Sequence, residues 1–241
     1  MNRREPCPEE ELRFFATAPK PCSYLDGRSA ISVFADPEAR LSMTLYNQLA
    51  LFGFRRSGND LYVPACPGCS ECVPVRVPVE RFRPSRSQRR VLERNPDIRW
   101  ELLMPEDAAP LFPLYRRYLK QRHAGGGMDD PGEEDYLRFL TSEWCDTFFL
   151  VGRLGTRPLV VAVTDDMDNA LSAVYTFFDP DYAQRSPGTL AIMRQIELTQ
   201  AMQRDWLYLG YWISGSEKMD YKRRFRPLQG YRNGRWQDIH T

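Results

Sequence analysis

The sequence has little net charge, few histidines and no long hydrophobic run. Its 33 basic and 32 acidic residues leave a formal net charge of +1, so affinity for a polyanion must come from local clusters rather than from the whole chain. No apolar stretch follows Met1–Pro6 or reaches the length of a transmembrane helix, which predicts a cytoplasmic chain without signal peptide or membrane span. In that compartment the six cysteines are expected to be reduced thiols or metal ligands.

The sequence also lacks a Walker loop, a Rossmann fingerprint and a Ser-His-Asp order. His123 is one of only two histidines and precedes a glycine-rich loop. We interpret it as a candidate general base. The alternative is a histidine at a helix C-terminus, where the helix dipole favours it.

Three cysteines, Cys66, Cys69 and Cys72, stand at an even two-residue spacing. A tetrahedral zinc site needs four ligands, and Cys22 is the candidate for the fourth. An iron–sulfur cluster is compatible with the same ligand type. A metal-free turn with half-buried thiols is the other interpretation.

An arginine-rich segment follows the cysteines. Six arginines lie between Arg81 and Arg94 with a single acid, Glu93, and serine and glutamine side chains between them can also bond phosphate oxygens. This pattern favours contact with a polyanion, with a solvated helix face as the alternative. The candidates for such contact are Arg86, Arg89 and Arg90.

The periodicity of apolar residues predicts a mixed order of strands and helices in the first half of the chain. We expect a helix that starts at Pro37 with Asp36 as its N-cap and ends at Gly53, then a hairpin that turns at Gly58-Asn59. The prolines in 73–79 place that extended segment at a sheet edge or bulge. The other expected elements are a strand at 30–34, a helix at 85–95, a strand at 98–103, a helix from Pro105 to about His123 and a helix at 133–142.

The second half predicts three strands joined by short turns, a helix that opens at Ser186, and a strongly apolar strand from Trp206. The expected fold class is α+β, with an N-terminal domain (1–100) packed on a C-terminal domain (101–241) that has a central mixed or antiparallel sheet. This order is similar to the N-acetyltransferase (GNAT) core, in which a helix N-terminus holds a phosphate-bearing cosubstrate. A generic α+β domain would show much of the same order.

The segment 210–227 mixes aromatic residues with cations. Aromatic rings can stack on bases while cations contact phosphates, and an edge strand with a soluble face is the alternative.

At this point long stretches converge on one family. The chain resembles the bacterial leucyl-transferring branch of the arginyl-tRNA–protein transferase family. The matching stretches are Pro21–Leu25, the Gly53-Phe54-Arg-Arg56 turn, Tyr62–Cys66, Cys69–Arg76, Ser85–Arg90, Tyr115–His123, Val174–Pro180, Gly188-Thr189 and Leu209–Lys222.

The resemblance implies an N-terminal transferase domain and a GNAT-like C-terminal half. It also implies transfer of leucine from leucyl-tRNA to proteins with N-terminal Asp or Glu, which marks them for N-degron (N-end rule) degradation. It implies charged tRNA as co-substrate, no required cofactor, no membrane partner and a monomer or weak homodimer. The eukaryotic members are similar at the cysteines, but this chain has Cys22-Ser-Tyr-Leu25 where their first motif has two cysteines. An arginyl donor, a CoA-dependent N-acetyltransferase and a non-enzymatic nucleic-acid module held by a metal are the alternatives.

The chemistry of that reaction suggests roles for individual residues. An acidic acceptor calls for Arg or Lys, and a tRNA backbone calls for a basic surface. The candidates for proton handling are His123, Tyr175 and Tyr221. The candidates for substrate binding are Arg76, Lys218 and Lys222, with Tyr211 and Trp212 for stacking on the terminal adenine. The candidates for tRNA contact are Arg86, Arg89, Arg90, Ser186, Gly188, Thr189, Arg223 and Arg224.

Overall fold

The computed structural model describes residues 12–122 and 131–239. The strands in this part of the chain are β1 (Phe14–Ala16), β2 (Lys20–Pro21), β3 (Ser29–Ala30), β4 (Ser32–Ala35), β5 (Arg55–Ser57), β6 (Asp60–Pro64), β7 (Val73–Pro78), β8 (Ile98–Leu103), β9 (Thr147–Leu154), β10 (Arg157–Met167), β11 (Ala170–Phe178), β12 (Trp206–Trp212), β13 (Gln229–Arg232) and β14 (Arg235–Asp238). The α-helices are α1 (Met43–Leu51), α2 (Arg86–Arg94), α3 (Phe112–Arg122), α4 (Glu133–Leu140), α5 (Pro187–Ala201) and α6 (Glu217–Asp220).

The strands form two main sheets and one short pair, β2-β3. The smaller sheet is antiparallel, with the order β1-β4-β6-β5. The large sheet has the order β14-β13-β7-β12-β11-β10-β9-β8, and of its described pairings only β11-β12 is parallel. The α+β class and the antiparallel meander of β9, β10 and β11 are therefore confirmed.

The hairpin turn at Gly58-Asn59 and the helix expected at 85–95 were placed correctly. The hairpin of β5 and β6 turns at Gly58, whose φ of +58° and close approach to the Arg138 carbonyl oxygen (2.6 Å from an added Cβ) both require glycine. Helix α2 begins with a capping box, in which the Ser85 hydroxyl accepts from the Gln88 N–H and the Gln88 side chain accepts from the Ser85 N–H.

Two helix starts predicted from sequence were wrong. Helix α1 starts at Met43 with Ser42 as its cap, because Asp36 instead closes a local turn by accepting from the Glu38 N–H at 2.9 Å. The helix expected from Pro105 begins as two 3₁₀ turns, at Pro105–Asp107 and Ala109–Leu111, and becomes α-helical only at Phe112. Successive prolines in this segment lack the N–H that an α-helix would use.

The placement of 73–79 at a sheet edge was also wrong, whereas the alternative of a bulge agrees with the register shift between Tyr208 and Gly210 of β12, opposite Arg76 and Val75. Strand β7 is fully buried and lies between β13 and β12 in the large sheet. Strand β13 pairs only with Val75 and Arg76, so Pro74 and Pro78 lie outside the doubly paired stretch. Because their missing N–H groups are not needed there, the prolines are tolerated in an interior strand.

The parallel strands β11 and β12 separate along their length. Their hydrogen-bonded register covers 170–172 and 206–208, after which β11 continues to Phe178 and β12 to Trp212. Helix α5 connects the two strands and packs on β10, β11 and β12, and the apolar core between them includes Val160, Ile196 and Leu207. A helix that links two diverging parallel strands matches the expected GNAT-like core. No helix within 12–122 or 131–239 is long and apolar enough to cross a membrane.

Candidate active site and tRNA surface

Tyr175 lies on the part of β11 that has separated from β12. Its half-buried ring makes edge contacts with Phe139 and Tyr115, with centroids 5.5 and 6.1 Å apart. Burial, followed by the neighbouring hydroxyls of Tyr118 and Tyr115, raises the pKa of Tyr175. The phenol is therefore neutral near pH 7 and can act as a hydrogen-bond donor.

Tyr221 follows α6 and is 39% exposed. Burial of its hydroxyl, followed by Tyr118, raises the pKa of Tyr221 to about 12, so this phenol is also neutral near pH 7. His123 lies outside the described residues, and its role as a general base stays a prediction.

Three cations are buried where the small sheet meets the split strands: Arg55, Arg76 and Lys222, with exposed fractions of 5%, 8% and 5%. No salt bridge among the described residues involves any of them. Two of them, Arg76 and Lys222, were predicted from sequence to bind substrate. Buried charges are normally paired, so this positive region is a candidate site for an anion.

Arg76 is held between two indole rings. Its guanidinium carbon lies 3.5 Å from the centroid of the Trp206 ring and 4.3 Å from that of Trp236. Its Nε donates to the Gln229 side chain at 3.1 Å, and its Nη1 donates to the Tyr208 hydroxyl at 3.5 Å. Burial is the main cause that lowers the pKa of Arg76. The side chain is fixed rather than mobile, as a positioning group requires.

Lys222 points at the strand that diverges. Its Nζ donates to the Tyr211 carbonyl oxygen at 2.6 Å and contacts the Met219 sulfur at 3.4 Å. Burial, followed by the positive charge of Arg55, lowers the pKa of Lys222 to about 7. An added Cβ on Gly210 would lie 3.7 Å from this Nζ, so the ammonium group is packed directly against β12. Lys218, by contrast, is exposed on α6.

The two aromatic residues predicted to stack on the terminal adenine are enclosed. Tyr211 is 8% exposed, and its hydroxyl donates to the Gly53 carbonyl at 3.0 Å and to the Tyr62 carbonyl at 3.3 Å. Trp212 is 5% exposed, with its Nε1 3.4 Å from an Asp220 carboxylate oxygen. Tyr211 therefore joins the two sheets and Trp212 packs in the core of the large sheet, and stacking of a base on either ring stays a prediction.

The basic segments are joined by hydrogen bonds and together make up the candidate tRNA surface. Gln88 of α2 donates to the Arg224 carbonyl at 3.1 Å, and Arg94 donates to the Gln184 carbonyl at 2.7 Å. These bonds hold α2 between the turn that carries Arg223 and the segment that leads into α5. The exposed arginines predicted to contact tRNA and found on this surface are Arg86, Arg89, Arg90, Arg223 and Arg224.

The start of α5 lies at the end of that surface. Ser186 has a left-handed conformation with φ of 56°, Pro187 is the first helical residue, and Gly188 and Thr189 are half-buried. The first N–H groups of a helix have no partner within the helix, so this end is compatible with a phosphate. Its contact with tRNA stays a prediction.

The four cysteines predicted as metal ligands lie in one region. Burial, followed by the thiols of Cys66, Cys22 and Cys69, raises the pKa of Cys72 to about 11. Yet no group of three or more His, Cys, Asp or Glu side chains in 12–122 and 131–239 is arranged to hold a metal ion. The described thiols do not fit a metal in this arrangement, so no step of the reaction is assigned to one, and the metal site stays a prediction.

Sequence reasoning missed Arg55, although it lies within the Gly53–Arg56 stretch that carried the family resemblance. Two adjacent arginines in a short hairpin strand are usually solvated, and nothing local marks one of them as buried. The signal that could have found it is the alternation of β5 and β6, which pairs Arg55 with the aromatic Tyr62 and Arg56 with the apolar Leu61.

The chain matches family models and named relatives along most of its length. The family model described as "Arginine-tRNA-protein transferase, N terminus" matches residues 20–90, and the one described as "Arginine-tRNA-protein transferase, C terminus" matches 111–232. Proteins named aspartate/glutamate leucyltransferase are 48% identical in Stenotrophomonas maltophilia (strain K279a), over 96% of this chain and 94% of that protein, and 46% identical in Alcanivorax borkumensis, over 94% of both.

Among solved structures, L-PGS from Bacillus licheniformis is similar at a TM-score of 0.48 and 14% identity, covering 86% of this chain and 71% of that one. FemX has a TM-score of 0.48 and 9% identity, covering 78% of this chain and 65% of that one. The matches to both family models and the identity across nearly the whole length confirm the expectation from sequence: the chain belongs to the arginine-tRNA-protein transferase family and is an aminoacyltransferase.

Proposed function

We propose that this protein transfers leucine from leucyl-tRNA to the α-amino group of proteins that begin with Asp or Glu, and so marks them for N-degron degradation. The observation that carries the proposal is 44–48% identity, over almost the full length, to proteins named aspartate/glutamate leucyltransferase. The geometry supports it, because an exposed basic surface borders a split sheet that contains buried, unpaired cations.

The reaction needs positioning more than covalent catalysis. The neutral α-amino nitrogen of the acceptor attacks the carbonyl carbon of the leucyl ester, an amide bond forms, and the ribose oxygen of tRNA leaves with a proton. An α-amino group has a pKa of roughly 7.7–8.0, so a fair share is neutral near pH 7. The ester is already activated, so held orientation and stabilisation of the developing negative charge supply most of the acceleration.

The residues divide into three roles. Tyr175 and Tyr221 lie near the split as neutral phenols and are proposed to handle protons or donate to the oxyanion, with His123 as a further candidate. Arg76, Lys218 and Lys222 are proposed to orient the acceptor. The exposed arginines of α2 and of 223–224, with the start of α5, are proposed to bind the tRNA backbone.

A transfer assay with purified protein tests the proposal. Peptides that begin with Asp, Glu or Ala are incubated with leucyl-tRNA, arginyl-tRNA or acetyl-CoA, and the modified N-terminus is identified by mass spectrometry. We expect leucine on the Asp and Glu peptides and none on the Ala peptide. Arginine in place of leucine would change the donor, and transfer from neither tRNA would refute the proposal.

Two finer points belong to the same proposal. A reaction between charged tRNA and cellular proteins places the enzyme in the cytoplasm. One chain contains all the residues assigned above, which is consistent with a monomer or a weak homodimer. Sedimentation of the protein with and without tRNA measures the oligomeric state directly.

A further inference from the structure

Arg55 is a buried cation with two donor nitrogens that no group of the described residues uses. Its Nη1 donates to the Phe54 carbonyl at 2.6 Å, but Nε and Nη2 are enclosed and have no hydrogen-bond partner among the described residues. The guanidinium carbon lies 4.6 Å from the centroid of the Tyr208 ring. Burial of an unpaired charge costs free energy, and a guanidinium cannot avoid that cost by losing its proton, because it stays charged even when buried.

The neighbouring residue shows what a structural arginine looks like in this fold. Arg56 donates from Nε and Nη2 to the two oxygens of Asp165 at 2.8 and 2.5 Å. Its Nη2 also donates to the Leu140 carbonyl at 3.0 Å, and its Nη1 donates to the Gly58 carbonyl at 3.2 Å. Every donor nitrogen of Arg56 is therefore matched. Arg55, one residue away, presents the same Nε–Nη2 edge without a carboxylate.

The surroundings of Arg55 are positive as well as enclosed. Burial is the main cause that lowers the pKa of Lys222 and of Arg76, and the charge of Arg55 lowers both further, although the Tyr208 hydroxyl opposes this for Arg76. Arg55 therefore lies near both of the other cations. Lys222 holds the Tyr211 carbonyl of the diverging strand β12. The unpaired positive charge therefore lies beside the place where β11 and β12 separate.

We propose that the Nε–Nη2 edge of Arg55 is the bidentate receptor for the side-chain carboxylate of the acceptor's first residue, with Lys222 as the second cation. This inference rests on the proposed function and names the specificity residue of the same site. A planar guanidinium fork matches a carboxylate in two parallel hydrogen bonds. Because both nitrogens are enclosed, the carboxylate reaches them only when the side chains around Tyr208 move apart.

The occupant is a short side chain rather than a tRNA phosphate. Arg55 is 5% exposed and lies against an aromatic ring, whereas the basic α2 surface is open to solvent. A backbone phosphate carries a sugar on each side and suits the open surface. The single terminal carboxylate of Asp or Glu suits an enclosed fork, and Asn or Gln would leave the positive charge unpaired.

The test compares Arg55→Met with the matched variant Arg56→Met. Thermal unfolding is measured alone and with Asp-initiated or Asn-initiated tripeptides, and leucine transfer to the same peptides is measured with leucyl-tRNA. For Arg55→Met we expect an unchanged or higher Tm without peptide, because an unpaired buried charge is replaced by an apolar chain. We expect its kcat/KM for the Asp peptide to fall about 100-fold, with little change for the Asn peptide or in tRNA affinity.

Arg56→Met should instead lower the Tm, because it leaves Asp165 buried without its partner. Arg55→Lys, which keeps the charge but loses the fork, guards against a folding defect and should also lose most of the preference for Asp over Asn. An unchanged preference in both Arg55 variants would overturn the inference. Weaker tRNA binding with the preference intact would assign Arg55 to a phosphate and also overturn it. Failure of the wild type to transfer leucine at all would instead refute the proposed function.

Discussion

Arg55 and Arg56 are consecutive in sequence and have opposite surroundings. Alternation along β5 sends Arg56 toward Asp165 of β10 and Arg55 toward Tyr208 of β12. Arg56 joins the two sheets through its ion pair with Asp165. Arg55 carries a positive charge that no acidic group among the described residues neutralises. At the scale of single residues, the fold stabilises one arginine and leaves its neighbour for a ligand.

Lys222 gives a prediction about stability and pH. Its pKa is about 7 in the folded protein, against 10.5 for an ordinary lysine, because burial and Arg55 disfavour the ammonium form. Between these values the unfolded chain holds more protons at this position than the native chain, so the free energy of unfolding rises with pH. We expect the free energy of unfolding of the wild type, minus that of Lys222→Met, to rise from pH 7 to 9 by at most about 1.4 kcal/mol per pH unit.

Urea unfolding at pH 6, 7, 8 and 9 measures this difference. Below pH 7 both states hold the proton, so the difference should be flat there. Lys218→Met is the matched control, because Lys218 is exposed on the same short segment. A pH-independent difference for Lys222→Met would show that the folded lysine keeps an ordinary pKa.

At the scale of elements, α2 contacts the turn at Arg224, the segment at Gln184 and helix α5. One glutamine, Gln88, both completes the capping box with Ser85 and donates to the Arg224 carbonyl. The apolar side of the helix is held by the buried Val91, and helix α2 packs on α5. The positions on α2 that do not pack inward carry exposed arginines, so the helix holds a cluster of positive charge in a fixed place.

Replacement of Arg89 and Arg90 with alanine should weaken tRNA binding without changing the preference for the acceptor. Both side chains are exposed on α2, and each contact with phosphate contributes roughly 0.7–0.9 to the slope of log K against log salt. We therefore expect the double variant to reduce that slope by about 1–2. Filter binding between 50 and 200 mM salt gives the measurement.

Arg99→Ala serves as the control for this pair, because Arg99 is an exposed arginine on β8 at the far edge of the large sheet. Its salt slope should match the wild type. An unchanged slope in the Arg89/Arg90 variant would remove α2 from the tRNA surface.

At the scale of the whole molecule, the large sheet is built from both halves of the chain. Strand β7, from the first half, pairs with β12 and β13 from the second, and its residues Val75 and Val77 are fully buried. The division into domains at 1–100 and 101–241, which stays a proposal, therefore cuts through strand β8 and separates β7 from its partners in the same sheet.

Expression of the fragment 101–241 should give a chain that does not unfold cooperatively. It lacks β7, so β12 loses its antiparallel partner, and each buried valine lost from the core contributes roughly 1.5–3 kcal/mol. The fragment 70–241 retains β7 and should recover part of the transition. Circular dichroism during heating compares the two fragments, and a sharp transition for 101–241 near the Tm of the full chain would contradict this expectation.

Sequence patterns predicted the elements where a local rule decides the structure. The Gly58 turn, the helix at 85–95 and the meander of β9 to β11 depend on residues close in the chain, and so does the family match. The errors arose where local signals compete. Asp36 closes a local turn instead of capping a helix. The prolines of β7 were interpreted as marking a sheet edge or bulge, but an interior strand tolerates them because the neighbouring strand β13 is short and pairs only with Val75 and Arg76.

By itself the sequence determined the family, the reaction class, the cysteine-rich and arginine-rich segments, and two of the three buried cations, Arg76 and Lys222. Only the tertiary structure decided that Arg55 is buried and unpaired while Arg56 is matched by Asp165. The physical reason is distance in the chain. Asp165, Tyr208 and Lys222 lie more than a hundred residues from β5, and whether a charge has a partner depends on which remote strands the fold brings against it.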